Sequence, residues 1–197
     1  MKCSAVFFTC AMIVCFVLSG NGYVSGQDKG TFADKRDGHV YKWVKTGPQV
    51  WMITNLRFIT PAGSWIYNND SASGVSYGRL YDWPTALKAC PKGWHMPTDN
   101  DWALLIKNLG GDEQAGAKLQ AMDTVVTANG NISSLLSGVR HYDGSFIGIG
   151  SWGACWSATI AGTDDASNYM FVHNGKAIGK SSSTKTTGFS VRCIRNK

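Results

Sequence analysis

Four histidines (His39, His95, His141 and His173), an adjacent carboxylate pair (Asp164 and Asp165) and the cysteines Cys90, Cys155 and Cys193 are the residues of this 197-residue chain best suited to chemistry. The histidines are too dispersed for a sequence-local metal motif, which needs ligands a few residues apart. His95 sits in the turn Cys90-Pro91-Lys92-Gly93-Trp94-His95, where a structural hydrogen bond is the reading taken over a ligand role. No nucleophile elbow of a serine hydrolase is read. Gly148-Ile149-Gly150 lacks the third glycine and the lysine of a phosphate loop. Paired carboxylates such as Asp164 and Asp165 are common in solvated loops, and calcium would need further oxygen ligands beside them. The expectation is therefore a non-catalytic chain with no cofactor and no metal.

These residues need a frame, and the chain supplies one after its first 26 residues. Lys2 is followed by an uncharged apolar stretch from Ala5 to Leu18 and then by small residues, the pattern of a secretory signal peptide. Val24-Ser25-Gly26 suits cleavage, which makes residues 1–26 the signal segment and Gln27 the mature start. Cleavage removes Lys2 from 19 basic residues and nothing from 13 acidic ones, leaving a net charge of +5. It also removes three of the six cysteines, so at most one internal disulfide forms among Cys90, Cys155 and Cys193. Export places the mature chain in the periplasm, on the cell surface or in the medium, with the membrane involved only through the signal segment.

Residues 27–39 are polar and read as a flexible leader, with one domain over residues 40–197. Alternation marks strands at 40–44 and 49–52 on either side of Gly47-Pro48. The stretch 60–79 reads as loop, with room for a short strand at Trp65-Ile66-Tyr67. Pro84 suits the first turn of a helix running to about Ala89. Thr98 and Asp101 form a capping-box pair for a second helix, whose apolar stripe is Trp102, Leu105, Ile106 and Leu109 and whose stop is Gly110-Gly111. Residues 113–121 leave room for another turn or two. The second half alternates over 135–142, 153–160, 169–172 and 188–194, with Asp143-Gly144 as a hairpin turn. Two helices packed on antiparallel sheet, with a strand-rich and loop-rich second half, make the fold class α+β. A charged fraction of 16% and eight Trp exclude a disordered chain. The basic residues form no cluster or stripe, so nucleic acid is not an expected partner.

Several blocks carry a family resemblance. Cys90-Pro91-Lys92-Gly93-Trp94-His95-Met96-Pro97-Thr98-Asp99, followed by Asp101-Trp102, resembles the signature of the Fibrobacter succinogenes major paralogous domain family. Gln49-Val50-Trp51-Met52 with Asn55-Leu56, and Tyr77-Gly78-Arg79-Leu80-Tyr81-Asp82-Trp83, are similar to its earlier blocks. Gly138-Val139-Arg140, Trp156-Ser157 and Gly188-Phe189-Ser190-Val191-Arg192-Cys193 are similar to its later ones. The resemblance implies an exported, mostly bacterial protein with a C-type-lectin-like fold, and it implies architecture rather than chemistry. It also implies a disulfide between Cys90, at the end of a helix, and Cys193, in the last strand, with Cys155 left as a small buried thiol. The calcium-dependent sugar motifs of vertebrate-type lectins do not occur in the chain. Formylglycine-generating enzymes share the broad fold and hold copper with a cysteine pair. Cys155 and Cys193 would be that pair here, as a minor alternative to the disulfide.

In such a fold the segment 159–187 displays the ligand site on a disulfide-tied base. Its small polar residues with occasional aromatics suit an adaptable contact surface, though the same composition also suits a solvated hairpin. The ending Gly188 to Cys193 further resembles variable proteins of diversity-generating retroelements. On that reading Asp164, Asp165, Asn168, Tyr169, His173, Asn174 and Lys176 carry contacts to a protein or glycan at the cell exterior, and Trp94, Trp102 and Trp156 are frame. A structural cell-envelope protein is the alternative.

Overall fold

The structure, a computed structural model, describes residues 28–127 and 130–196. The expected signal segment and Gln27 lie outside these residues. Two five-stranded sheets carry the architecture. The first is built from β1 (Lys29–Ala33), β2 (Val40–Thr46), β3 (Gln49–Met52), β6 (Trp94–His95) and β14 (Ile194–Arg195), in the order β1-β2-β3-β14-β6. The second runs β10 (Phe146–Ile149), β9 (Ser137–Arg140), β11 (Trp152–Ile160), β12 (Asp165–Val172) and β13 (Gly179–Thr184). β4 (Ser64–Trp65) pairs with β5 (Leu80–Tyr81), and β7 (Thr124–Thr127) with β8 (Gly130–Ser133). The chain is thus α+β, as its patterning predicts.

Four helices accompany the sheets, where two were expected. α2 (Trp83–Ala89) starts at Asp82, whose carboxylate accepts from the Thr85 amide at 3.0 Å, with Pro84 in the first turn. α3 (Asp99–Asn108) carries the complete capping box: Asp101 accepts from the Thr98 amide, and the Thr98 hydroxyl accepts from the Asp101 amide. α4 (Asp112–Met122) is three turns long rather than one or two. α1 (Ser71–Tyr77) falls in the stretch read as loop. Its three Ser, Gly74 and Val75 give weak propensity and the helix has no apolar stripe, so the cap carries it: Asp70 accepts from the amides of Ala72 and Ser73.

The expected flexible leader is corrected as well. Lys29–Ala33 pairs along β2 from Lys29↔Val44 to Ala33↔Val40. One apolar residue explains much of this, since Phe32 stacks on Trp94 with ring centroids 4.5 Å apart. Farther on, Arg36 clasps buried Asp34 at 2.6 Å, donates to the Ala89 carbonyl and lies over the Phe58 ring. The polar composition of 27–39 hides these contacts. Gly47-Pro48 is the two-residue hairpin loop between β2 and β3, with Gly47 at φ +60° as such a turn needs. Asp143-Gly144 likewise closes the β9–β10 hairpin.

Two buried clusters fill the molecule. One gathers Tyr41, Met52, Leu56, Tyr81, Trp156, Phe189 and Val191 among its members. The other lies between α3, α4 and the second sheet, where Trp102 stacks on Tyr169 at 4.7 Å and meets Trp51 at 4.9 Å. The final segment joins them. Instead of a strand over 188–194, it makes single bridges from Gly188 to Arg140, Phe189 to Tyr81 and Ser190 to Cys155 before entering β14. Cys193 is disulfide-bonded to Cys90 across a sequence separation of 103, with 5.9 Å between Cα atoms.

Candidate functional site

Several polar residues of the sequence blocks are buried, among them Gln49, Asn55, Ser157, Ser190 and Arg192. Arg192 and Asp123, both essentially inaccessible, form an ion pair of 2.7 Å. Asp123 also accepts from the hydroxyls of Ser133 and Ser134 and from the Leu135 amide, all at 2.8–2.9 Å. The Arg192 Nε donates to Asn55 Oδ1 at 3.0 Å, and the Asn55 amide group donates to the carbonyls of Ser134 and Tyr77. This network ties together parts of the chain distant in sequence, which is how a buried charge is tolerated. Other block residues serve the same end: Trp156 Nε1 donates to the Tyr81 carbonyl, Trp83 Nε1 to the Ser157 carbonyl and Gln49 to the Asp101 carbonyl.

Cys155 lies beside Arg192 and is fully buried. Burial pushes its thiol up to about 12, against the smaller opposing pull of Arg192, so it stays protonated and unreactive. Burial also raises the Tyr41 hydroxyl to about 12, and Tyr81 and Tyr169 move in the same direction. Unfolded, these groups lose protons from about pH 8.5 (Cys) and about pH 10 (Tyr), so above those values the unfolded chain binds fewer protons than the folded one. From neutral pH to about pH 8.5 stability should hold level, and it should fall steadily toward pH 12. Urea unfolding at pH 8, 9.5 and 11 checks this; equal midpoints would contradict it.

β12 separates the seven expected contact residues. Asp164 and Asp165 lie at the β11–β12 turn, where Lys185 donates from Nζ to the Thr163 carbonyl at 2.6 Å. His173, Asn174 and Lys176 lie beyond the other end of the strand, about 23 Å away by strand rise. Asn168 and Tyr169, expected to carry contacts, are instead buried in the strand. Tyr169 packs on Trp102, and Asn168 donates to Ser183 on the opposite face of the sheet. These two are frame. The structure brings together only His173, Asn174 and Lys176, all exposed.

Those three are held on α4. Gln120 donates from one amide group to the carbonyls of Val172 and Gly175, at 3.2 and 3.0 Å, and the Ala117 amide donates to the Lys176 carbonyl. Gly116 permits the approach: a Cβ there would stand 2.7 Å from the Lys176 carbonyl oxygen and closer still to that of Ala177. A glycine inside a helix is a readable sign of such close packing; nothing in the sequence marks Gln120. A concavity lies on each side of this clamp. One is a partly enclosed cavity of about 190 Å³ bordered by Tyr77, Gln120, Leu136, Gly150, His173 and Asn174, among others. The other is an open groove of about 770 Å³ between α4 and Lys176-Ala177.

The remaining chemical candidates are dispersed. His95 Nδ1 meets Asn196 Oδ1 at 2.6 Å, the structural hydrogen bond expected of it. Gly74-Val75-Ser76-Tyr77-Gly78 has the spacing of a serine-hydrolase elbow, which corrects the expectation that the chain holds none. Ser76 lies inside α1 rather than at a strand-to-helix turn, and no histidine lines the depression beside it. With Cys193 bridged to Cys90, the Cys155–Cys193 pair does not present two thiolates. No group of three or more His, Cys, Asp or Glu side chains placed to hold a metal occurs among the described residues.

Neither curated proteins nor solved structures gave a match to this chain. The family described as the Fibrobacter succinogenes major domain matches residues 44–195, which include every sequence block, all of the second sheet and, of the first sheet, all but β1 and the start of β2. The chain belongs to the Fibrobacter succinogenes major domain family.

Proposed function

We propose that this protein is an exported, non-catalytic ligand-binding domain of C-type-lectin-like fold, and that the 173–178 loop meets the ligand. The observation that carries the reading is the contrast within one segment: His173, Asn174 and Lys176 are exposed on a loop held rigidly to α4, between two concavities. Pre-held contacts lose less freedom on binding than a mobile loop would. The apolar stretch before residue 27 and the disulfide are both consistent with an oxidising compartment outside the cytoplasm. The partner class is a protein or glycan at the cell exterior.

The test is binding of the purified protein to arrays of immobilised glycans and envelope proteins, compared with two variants. The triple variant His173→Ala/Asn174→Gly/Lys176→Ala, with Gly at position 174 because Asn174 stands at φ +57°, should bind about tenfold or more weakly with an unchanged urea midpoint. Asp164→Ala/Asp165→Ala should leave binding within about twofold. Unchanged binding by the triple variant would overturn the reading. Diversification by a retroelement belongs to the same reading. Sequencing the 3′ end of the gene across a natural population would then find substitutions at codons 173, 174 and 176 and constancy at 168 and 169.

A further inference from the structure

The cavity beside His173 and Asn174 differs in chemistry from the groove across the clamp. Its volume of about 190 Å³ lies below the ~300–1,000 Å³ of drug-sized sites, so it accommodates one ring rather than an oligomer. Among the described residues, no Lys, Arg, Asp or Glu side chain lines it. The Asp123 carboxylate, which accepts from the hydroxyl of the lining residue Ser133, is already matched by Arg192. An ionic ligand would therefore lose its hydration without gaining a counter-charge.

The walls offer a mixed surface. Leu136, the Tyr77 ring and Gly150 are apolar. The Tyr77 hydroxyl, the His173 imidazole and the Asn174 carboxamide border the cavity with no hydrogen-bond partner among the described residues, and Gln120 keeps its Oε1 free because only its amide nitrogen is engaged. Donors and acceptors thus converge over an apolar wall. A ring that presents C–H groups on one face and several neutral hydroxyls around its edge complements such a surface. We infer that this cavity binds one neutral polyhydroxylated ring, a single sugar residue taken free or as the terminal unit of a glycan. The inference rests on the proposed contact surface at the 173–178 loop and assigns its ligand class.

The test is a nitrogen–proton correlation spectrum of the full protein titrated with the methyl pyranosides of glucose, galactose and mannose and with N-acetylglucosamine. Glucuronate and glucose 6-phosphate serve as charged controls. At least one neutral sugar should give saturable shifts at the amides of Tyr77, Gly150 and Asn174, with none at Glu113 or Ala117 across the clamp. Tyr77→Phe and Asn174→Ala should each weaken that response about tenfold with folded spectra retained. Absence of shifts with every neutral sugar, or an equal response to the charged ones, would overturn the inference. If that happens while the triple variant still loses array binding, the surface reading stands and the cavity assignment alone falls. If the triple variant binds like the natural protein, the surface reading falls, and sugar shifts confined to the cavity would keep the cavity assignment on its own evidence.

Discussion

Arg192→Met should destabilise the protein by about 3–5 kcal/mol, the range for removing one partner of a buried ion pair. The reason is what it leaves behind. Asp123 is inaccessible and would keep its two serine hydroxyls and one backbone amide but lose its only ion-pair partner. Asn55 Oδ1 would lose its donor at the same time. Urea unfolding measures the effect. The double variant Arg192→Met/Asp123→Leu should recover part of the loss, because neither charge is then stranded. By comparison Lys180, more than half exposed, pairs with Asp99 at 2.7 Å, and Lys180→Ala should cost at most about 1 kcal/mol. If Arg192→Met cost no more than Lys180→Ala, the network would not be the tie between the blocks that its geometry makes it.

Loss of the Cys90–Cys193 bridge should have a comparable effect by a different route. The bridge closes a loop of about 100 residues, and the chain-entropy relation assigns such a loop ~4–5 kcal/mol through the unfolded state. For a domain of this size that corresponds to a fall in Tm of roughly 10–20 °C. Cys90→Ser, Cys193→Ser and the natural protein under a strong reductant should therefore melt together, well below the oxidised protein. Cys155 is buried against Arg192 and should not replace either partner, so mass spectrometry of the single variants should find no new bridge. Equal melting of oxidised and reduced protein would contradict the account.

The parts of the fold readable from sequence were those with local causes. Thr98 and Asp101 cap α3 by themselves, and Gly47-Pro48 and Asp143-Gly144 turn their hairpins through their own backbone preferences. α1 was hidden because its cause is a single cap, Asp70, on a sequence with no apolar stripe. β1 was hidden because its anchoring partner, Trp94, is more than sixty residues away. The site was legible only in part, for a related reason. β12 is covered on both faces, so Asn168 and Tyr169 are interior although an Asn-Tyr pair has the composition of a contact surface. The exposed trio follows the strand's end, where composition and exposure agree. Its support, Gln120, comes from α4, and Tyr77, which borders the adjoining cavity, comes from α1; only tertiary packing brings these helices to the loop.

The division between frame and displayed surface is tested most directly by a saturation scan of residues 159–187, with resistance to protease as the readout of folding. The account predicts tolerance of nearly all substitutions at His173 and Lys176, and at Asn174 of all but Pro and the β-branched residues, because its backbone is left-handed at φ +57°. It predicts loss of resistance for most substitutions at Ala166, Tyr169 and Phe171, which are almost wholly buried. Intolerance at His173, Asn174 and Lys176 equal to that at Tyr169 would contradict it, because those residues would then be holding the fold rather than facing a ligand.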